Sequence, residues 1–134
     1  KLVVLGSQGV GKTSLAYRYA SGQFNPSAVP STIGAAFLTK KLVVDNVNCR
    51  LQLWDTSGQE KWRAIAPMYY RGSHAALLVY DITSRSSFDD LKYWIDELKK
   101  NMGDDLIIHV VGAKLDLARS RQIDPHEARE QVLQ

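Results

Sequence analysis

The residues with the most specific chemistry form a glycine-rich stretch near the start of the chain. Residues 6–13 have the sequence GSQGVGKT, which fits the pattern G-x-x-x-x-G-K-[ST]. Glycines let the backbone curl so that successive N–H groups point at one phosphate, and the N-terminus of the following helix adds its positive end. Lys12 is expected to reach the outer phosphates, and the Thr13 hydroxyl to ligate Mg²⁺. The predicted phosphate-binding residues are Gln8, Gly9, Val10, Gly11, Lys12, Thr13 and Ser14. The pattern indicates a nucleoside triphosphate but does not identify its base.

A second group of candidate residues follows a predicted strand in the middle of the chain. Asp55 stands at the carboxyl end of that strand, where ligands of parallel sheets bind, and is expected to hold the hydration shell of the metal. Gly58 can offer a backbone N–H to a γ-phosphate, and Gln59 can orient a water molecule for in-line attack. Thr32, in a loop interrupted by prolines, can reach the metal with its hydroxyl. These residues predict phosphoryl transfer to water. The metal set is Thr13, Thr32 and Asp55, and the catalytic set is Lys12, Thr32 and Gln59.

A third group, near residue 113, has the chemistry to recognise a base. A carboxylate such as Asp116 can accept hydrogen bonds from both N1–H and the exocyclic amine of guanine. Adenine presents an acceptor and a C–H at those positions, so it would leave a buried charge unpaired. The stem of Lys114 can lie along one face of the base, with Phe24 on the other. By itself K-x-D is a common string, so guanine is predicted only together with the other motifs, with Phe24, Ala113, Lys114, Asp116 and Leu117 as the candidate base-binding residues.

Short apolar runs alternate with longer amphipathic segments, and these elements must position the candidate residues. Strands are predicted at Leu2–Leu5, Phe37–Val44, Arg50–Trp54, Ala75–Tyr80 and Leu106–Val111. Helices are predicted at Thr13–Ala20, near Lys61–Tyr70, over Phe88–Leu98, and from Asp124, which precedes Pro125 and stands three residues before Glu127. The order predicts an α/β fold, a mostly parallel sheet with helices on both faces. The second and third strands should pair antiparallel, because their connection is too short for a crossover.

Composition and charge exclude several classes of protein. A chain of 134 residues supports one domain, and 45% hydrophobic with 23% charged residues excludes disorder and collagen-like repeats. The longest apolar run, Ala75–Tyr80, is far shorter than the roughly 20 residues of a membrane span. The single cysteine and the lack of a signal-peptide pattern favour the cytosol. Residues 1–67 carry +5 and residues 68–134 carry −2, but no basic-aromatic stripe supports nucleic-acid binding.

The combination of motifs resembles the Ras-type small GTPases over nearly the whole chain. The resemblance rests on the G-x-x-x-x-G-K-T loop, on Thr32 before Ile33-Gly34, on the W-D-T-x-G-Q stretch from Trp54 and on the K-x-D pair from Lys114. Three further segments are similar to the Rab branch and to its endosomal members: Ser31–Phe37, Tyr69–Gly72 and Val79–Thr83. The resemblance implies a P-loop NTPase G domain of mostly parallel sheet with one antiparallel edge strand, which binds GTP or GDP with Mg²⁺.

The same resemblance implies moving segments and a surface for partner proteins. Ser21–Gly34 is similar to a first switch and Gly58–Tyr70 to a second, segments that tighten around GTP and loosen after hydrolysis. Phe37, Trp54 and Tyr69 are similar to an aromatic trio on which effectors sense the bound nucleotide. The alternative is that these three are ordinary core side chains.

The chain departs from the family pattern at Ala113, Gln8 and Ser57 and at its end. Ala113 stands where an asparagine is usual, and each lost hydrogen bond should cost roughly 0.5–1.5 kcal/mol, so guanine affinity is expected to be about 10- to 100-fold lower. Gln8 replaces a small residue and is expected to slow hydrolysis by crowding Gln59. Ser57 replaces alanine with little expected effect. The sequence ends at Gln134, inside an expected helix, so we expect a longer protein with a second base-contact loop and a prenylated cysteine tail.

Two functions remain open at this point. The first is a monomeric GTPase that acts as a switch in vesicular, endosomal trafficking. It implies exchange-factor, activating and effector proteins as partners, and reversible attachment to the cytosolic face of endomembranes through the missing tail. The alternative is a nucleotide-binding scaffold with little turnover, which Gln8 and Ala113 favour. A P-loop small-molecule kinase is disfavoured, because the sequence has no Arg-rich lid.

Overall fold

The computed structural model describes residues 1–22, 35–56 and 66–132, and for Ala35, Ala36 and Ala66 the backbone only. The strands are β1 Leu2–Leu5, β2 Ala35–Val44, β3 Val47–Thr56, β4 Ala75–Asp81 and β5 Ile107–Ala113. The helices are α1 Lys12–Ser21, α2 Ala66–Tyr70, α3 Arg85–Met102 and α4 Pro125–Val132, with a 3₁₀ helix at Leu115–Ser120. All five predicted strands are present, and the 3₁₀ helix was not predicted.

The strands form one sheet in the order β2-β3-β1-β4-β5. β1 runs parallel to both β3 and β4, and β4 runs parallel to β5. β2 and β3 are antiparallel and are joined by Asp45 and Asn46, whose φ angles are 50° and 62°. Short polar residues tolerate this left-handed region, and a two-residue turn of this kind matches the twist of a hairpin. The predicted α/β fold with one antiparallel edge strand is confirmed.

Successive side chains of β1 belong in turn to two apolar clusters, one on each face of the sheet. Val3 and Leu5 belong to a buried cluster that contains the inward face of α3. Val4 belongs to a second cluster with Val10, on the face where α1 contacts β3. Because neighbouring side chains of a strand point to opposite faces, a strand buried on both faces has to be apolar throughout. β1, at the centre of the sheet, is such a strand.

Helix α3 covers one face of the sheet with a continuous apolar stripe. Phe88, Leu91, Trp94 and Leu98 are all buried, at the three- and four-residue steps that the sequence predicts. The helix begins after Ser84, whose side chain accepts a hydrogen bond from the backbone N–H of Ser87 at 3.3 Å. Burying each large apolar side chain contributes about 1.5–3 kcal/mol to the free energy of unfolding. The stripe therefore fixes α3 against the sheet and stabilises the adjoining ends of the strands.

Helix α4 begins as predicted. The Asp124 carboxylate accepts a hydrogen bond from the backbone N–H of His126 at 2.7 Å, and Pro125 is the first helical residue. Glu127 forms a bidentate ion pair with Arg85 at the start of α3, and this pair, together with the backbone N–H of Asp124, lowers the pKa of the Glu127 carboxyl. The contact ties α4 to α3, which a local sequence pattern does not predict.

None of the helices in the described ranges combines the length and the apolar character that crossing a bilayer requires.

Candidate functional site

The glycine-rich loop lies between the end of β1 and the start of α1. Gly6 has φ 149°, and a Cβ at this position would lie 2.2 Å from the carbonyl oxygen of Val79 on β4. Gly9 and Gly11 have φ angles of 78° and 101°. The loop therefore needs glycine at Gly6 because of a close backbone approach, and at the other two positions because of left-handed backbone.

Lys12, the first residue of α1, places its ammonium group against the loop backbone. The residue is 5% exposed, and Nζ donates to the carbonyl oxygens of Gly6 at 2.9 Å and Ser7 at 2.8 Å. Burial lowers the pKa of Lys12 to about 8, and the nearby Asp55 carboxylate opposes that shift. The loop thus encloses a positive charge that burial penalises and that an anion would stabilise.

Around Lys12 the loop residues differ in what they offer a ligand. Gln8 and Gly9 are exposed, and Val10 is buried in the apolar cluster, so Val10 can contribute only its backbone. Thr13 and Ser14 are half-buried in the first turn of α1. The hydroxyl of Ser7 donates to the Asp90 carboxylate of α3 at 2.5 Å, a contact between the loop and α3 that the sequence did not predict.

Thr13 and Asp55 meet beside the loop. The Thr13 hydroxyl donates to the Asp55 Oδ2, and Asp55 is 1% exposed near the carboxyl end of β3, where it pairs in register with Val4 of β1. The contact places a hydroxyl and a carboxylate, both hard oxygen ligands, side by side. This donor set fits Mg²⁺, which prefers oxygen ligands. The two predicted metal residues that the structure describes are therefore together.

The predicted base segment begins where β5 ends, next to the glycine loop. A Cβ at Gly11 would lie 3.8 Å from the Cβ of Ala113, so the two segments are in contact. Lys114 has φ 67°, a left-handed conformation, and its Nζ lies 2.9 Å from the Asp81 Oδ2. Asp116 and Leu117 are exposed on the following 3₁₀ helix. The segment thus offers an exposed carboxylate beside the phosphate loop.

Asp81 has contacts at the candidate site, although the sequence motifs do not assign it to that site. It ends β4, is 8% exposed, and accepts hydrogen bonds from the Thr83 backbone N–H at 2.8 Å and the Thr83 hydroxyl at 2.6 Å. Burial raises the pKa of Asp81, but the Thr83 and Lys114 contacts outweigh burial and hold the pKa below its ordinary value. The feature that could have identified Asp81 in the sequence is its position at the end of an apolar strand, the place where Asp55 was predicted to act.

Four of the predicted site residues lie outside the described ranges: Phe24, Thr32, Gly58 and Gln59. The same holds for Ser57 and for most of both predicted switch segments.

The three predicted effector residues form one aromatic cluster, Phe37–Trp54–Tyr69. The rings of Phe37 and Trp54 meet edge to face with centroids 5.3 Å apart, and those of Trp54 and Tyr69 are 6.5 Å apart. Phe37 is 51% exposed, Trp54 and Tyr69 are half-buried, and the Lys1 Nζ lies 4.5 Å from the Trp54 ring centroid. Trp54 also packs against the core, but none of the three is an ordinary buried side chain.

Comparison with known proteins gives a consistent set of relatives. Residues 1–134 match the family model described as Ras family. The chain is 50% identical to the Ras-like GTP-binding protein RYL2 of Yarrowia lipolytica over 119 residues, which are 89% of this chain and 56% of that protein. It is 50% identical to the putative ras-related protein Rab-5B of Dictyostelium discoideum over 125 residues, 92% of this chain and 58% of that one. It is 46% identical to the Ras-related protein RHN1 of Nicotiana plumbaginifolia over 129 residues, 96% and 64%. The chain thus spans little more than half the length of these relatives.

Proposed function

The chain belongs to the Ras family of small GTPases, and from this membership together with the Gly6–Thr13 loop we propose that it is a guanine-nucleotide-dependent switch that hydrolyses GTP to GDP. The observation that carries the proposal is the Lys12 ammonium group, buried at the loop and held by two backbone carbonyls. A buried cation facing a curled backbone is stabilised most by a multiply charged anion. A nucleotide's phosphates supply that charge.

Lys12 and the residues beside it have separate tasks in phosphate binding. Lys12 would neutralise the outer phosphates, and the backbone N–H groups of the loop would donate to the inner ones. Thr13 and Asp55 would hold Mg²⁺ with Thr32, and the ion would supply charge neutralisation at the phosphate oxygens. The Thr13–Asp55 contact supports this role, because the Thr13 hydroxyl oxygen and the Asp55 Oδ2 lie within hydrogen-bond distance of each other.

Hydrolysis would follow from positioning rather than from a strong base. Gln59 is proposed to orient the attacking water in line with the γ-phosphate, while the Gly58 backbone N–H and Lys12 stabilise the charge on its oxygens. The bond between the γ-phosphorus and the bridging oxygen of the leaving GDP breaks as the bond from the water oxygen to the γ-phosphorus forms. One proton of the water passes to the released phosphate. A Gln59→Leu variant is expected to hydrolyse bound GTP about 10-fold more slowly or worse.

Base recognition is assigned to the segment after β5. Asp116 would accept two hydrogen bonds from guanine, with Lys114 and Phe24 on the faces of the base and Ala113 and Leu117 beside it. The exposure of Asp116 and the contact between Gly11 and Ala113 support this assignment, since the segment lies next to the phosphate site.

The Rab-like segments extend the proposal to vesicular trafficking at endosomal membranes. The cluster Phe37–Trp54–Tyr69 would bind effectors in the GTP state, because exposed aromatic side chains make strong interface anchors. Exchange factors, activating proteins and reversible membrane attachment through a tail beyond this sequence complete the proposed cycle. A relative named Rab-5B supports the endosomal assignment.

One set of titrations tests the proposal. The full-length protein is titrated with GDP, GTP, ATP and xanthosine diphosphate in the presence of Mg²⁺, and GTP turnover is then followed with and without an activating protein. We expect binding of GDP and GTP, little binding of ATP, and turnover. ATP binding as strong as GTP binding would refute the assignment of guanine through Asp116. Binding without turnover under either condition would establish the scaffold function instead.

A further inference from the structure

An ion pair joins the base segment to the end of β4. Lys114 Nζ lies 2.9 Å from the Asp81 Oδ2, and the side chains of Lys114 and Asp81 are 35% and 11% exposed. The partial burial of the carboxylate limits screening by solvent, so this pair is stronger than a surface ion pair. It spans the carboxyl ends of β4 and β5, where Asp81 and Ala113 are register partners.

The Asp81 carboxylate is itself fixed on the β4 side. Its Oδ1 accepts from the backbone N–H and from the hydroxyl of Thr83, and the Asp81 backbone N–H donates to the Ser87 Oγ at 3.0 Å. Both Asp81 and Ser87 are buried, and Ser87 lies in the first turn of α3. The carboxylate is therefore positioned before Lys114 contacts it, and it can act as a fixed anchor.

On the other side of the ion pair, two backbone hydrogen bonds restrain the turn around Lys114 within the part of the chain that the structure describes. The Ala113 carbonyl accepts from Ile82 N–H at 3.2 Å, and the Lys114 carbonyl accepts from Leu117 N–H at 2.9 Å. The φ of Lys114 is 67°, which is unfavourable for a residue with a side chain. Alanine at position 113 has no polar side-chain atom with which to fix this turn. Among the described residues, the ion pair with Asp81 is the side-chain interaction that supports Lys114 in this conformation.

We propose that Asp81 is a positioning residue for guanine recognition: by holding Lys114, it fixes the backbone from Ala113 to Asp116 and thereby the direction of the Asp116 carboxylate. The ion pair takes over a restraint that a polar side chain at position 113 would otherwise provide. This inference rests on the proposed function, since it concerns the same base site.

The test compares Asp81→Asn with the native full-length protein and with Asp96→Asn, which removes the same charge from an exposed position on α3. Dissociation constants for GDP and inosine diphosphate are measured with Mg²⁺ by competition against a fluorescent GDP analogue. Inosine lacks the exocyclic amine, so the ratio of its dissociation constant to that of GDP reports the second Asp116 hydrogen bond. We expect Asp81→Asn to raise the GDP dissociation constant about tenfold and to lower this ratio, and Asp96→Asn to change neither.

A second pair of variants separates positioning from general stability. Asp81→Asn is also measured in an Ala113→Asn background, with Ala113→Asn alone as the reference. There it should raise the GDP dissociation constant by a smaller factor than in the native background, because the amide supplies a second restraint at the same turn. If Asp81→Asn does not fold, Thr83→Val removes one donor to the same carboxylate and keeps the ion pair; it should raise the GDP dissociation constant about two- to threefold and lower the ratio. An unchanged ratio in the folded variant, or an unchanged GDP dissociation constant, would overturn the proposal.

The outcomes also separate this inference from the proposed function. If the native protein binds GDP in preference to inosine diphosphate and Asp81→Asn behaves like it, only the role of Asp81 is refuted. If the native protein binds no GDP, both the proposed function and the role of Asp81 are refuted.

Discussion

At the scale of single residues, the burial of Lys12 couples binding to stability. The ordinary pKa of lysine is 10.5, and burial lowers that of Lys12 to about 8 in the folded protein. Removing a charged amine from water costs free energy unless a partner compensates it, and two carbonyl oxygens compensate it only in part. Burial of this cation therefore lowers the stability of the protein without a ligand, and the proposed phosphate ligand would compensate that loss.

The first prediction concerns Lys12 and pH in the absence of nucleotide. Between about pH 8 and pH 10.5 the unfolded chain binds more protons than the folded one at this residue, so the free energy of unfolding rises with pH. For the native protein it should increase relative to Lys12→Met by as much as about 3 kcal/mol over that range. Denaturant unfolding at several pH values, with a chelator present, measures the difference. Parallel curves for the two proteins would contradict the low pKa.

The second prediction concerns Gln8, an exposed residue at the tip of the glycine loop. A long amide at this position crowds the place proposed for Gln59 and for an arginine from an activating protein. Gln8→Gly should therefore hydrolyse bound GTP faster than the native protein in a single-turnover assay. The unchanged dissociation constant for GDP serves as the control. Equal rates for the two proteins would exclude crowding by Gln8.

At the scale of elements, helix α3 contributes both packing and contacts to the site. Its buried stripe packs on the sheet, and its Asp90 accepts a hydrogen bond from Ser7 of the glycine loop. Ser87, in its first turn, contacts the backbone of Asp81. The helix therefore connects the apolar core to the phosphate loop and to the anchor of the base segment.

The third prediction tests this packing. Leu98 is fully buried near the end of α3, and Leu98→Ala should lower the free energy of unfolding by about 2–5 kcal/mol through lost burial and the cavity left behind. The neighbouring exposed residue provides the control, since Lys99→Ala should change stability by no more than about 0.5 kcal/mol. Denaturant unfolding of both variants measures the difference. Equal losses in the two would contradict the assignment of the stripe.

The elements were predictable where burial leaves a pattern. Leu2–Leu5 was predicted with its observed bounds, because an apolar run and a following glycine delimit it. β3 begins at Val47 instead of Arg50, because the tight turn extends the pairing through Val47, Asn48 and Cys49, none of which is buried in the core. The short 3₁₀ helix at Leu115–Ser120 has too few residues to show a periodicity.

The site was predictable where one local motif contains its residues. The glycine loop located Lys12 and Thr13, and the strand end located Asp55. The contact between Asp81 and Lys114 was not predicted, because it depends on the register of two parallel strands that are distant in sequence. The sequence shows that a carboxylate stands at the end of β4, but only the pairing of β4 with β5 shows that it contacts Lys114.

At the scale of the whole molecule, the cluster Phe37–Trp54–Tyr69 joins β2, β3 and α2, whereas Lys12 begins α1 and Asp116 follows β5. The fourth prediction is that Phe37→Ala weakens binding of a GTP-state effector by about 2 kcal/mol or more, since truncated aromatic anchors cost this much at interfaces. Val43→Ala, on the same face of β2 and also exposed, provides the control and should have little effect. Affinity for GDP should be the same in both variants. Loss of GDP binding in Phe37→Ala would contradict a role limited to partners.

The strand order β3-β1-β4-β5 also sets the distances between the groups at the carboxyl ends of the strands. The carboxyl ends of these strands carry, in sequence across the sheet, Asp55, the glycine loop, Asp81 and the base segment. Neighbouring strands are about 4.8 Å apart, so the ends of β3 and β5, at Asp55 and Ala113, are separated by roughly 14 Å. A single ligand that contacts both Asp55 and the segment after β5 has to bridge that span, which the proposed nucleotide would do with its base at one end and its phosphates at the other.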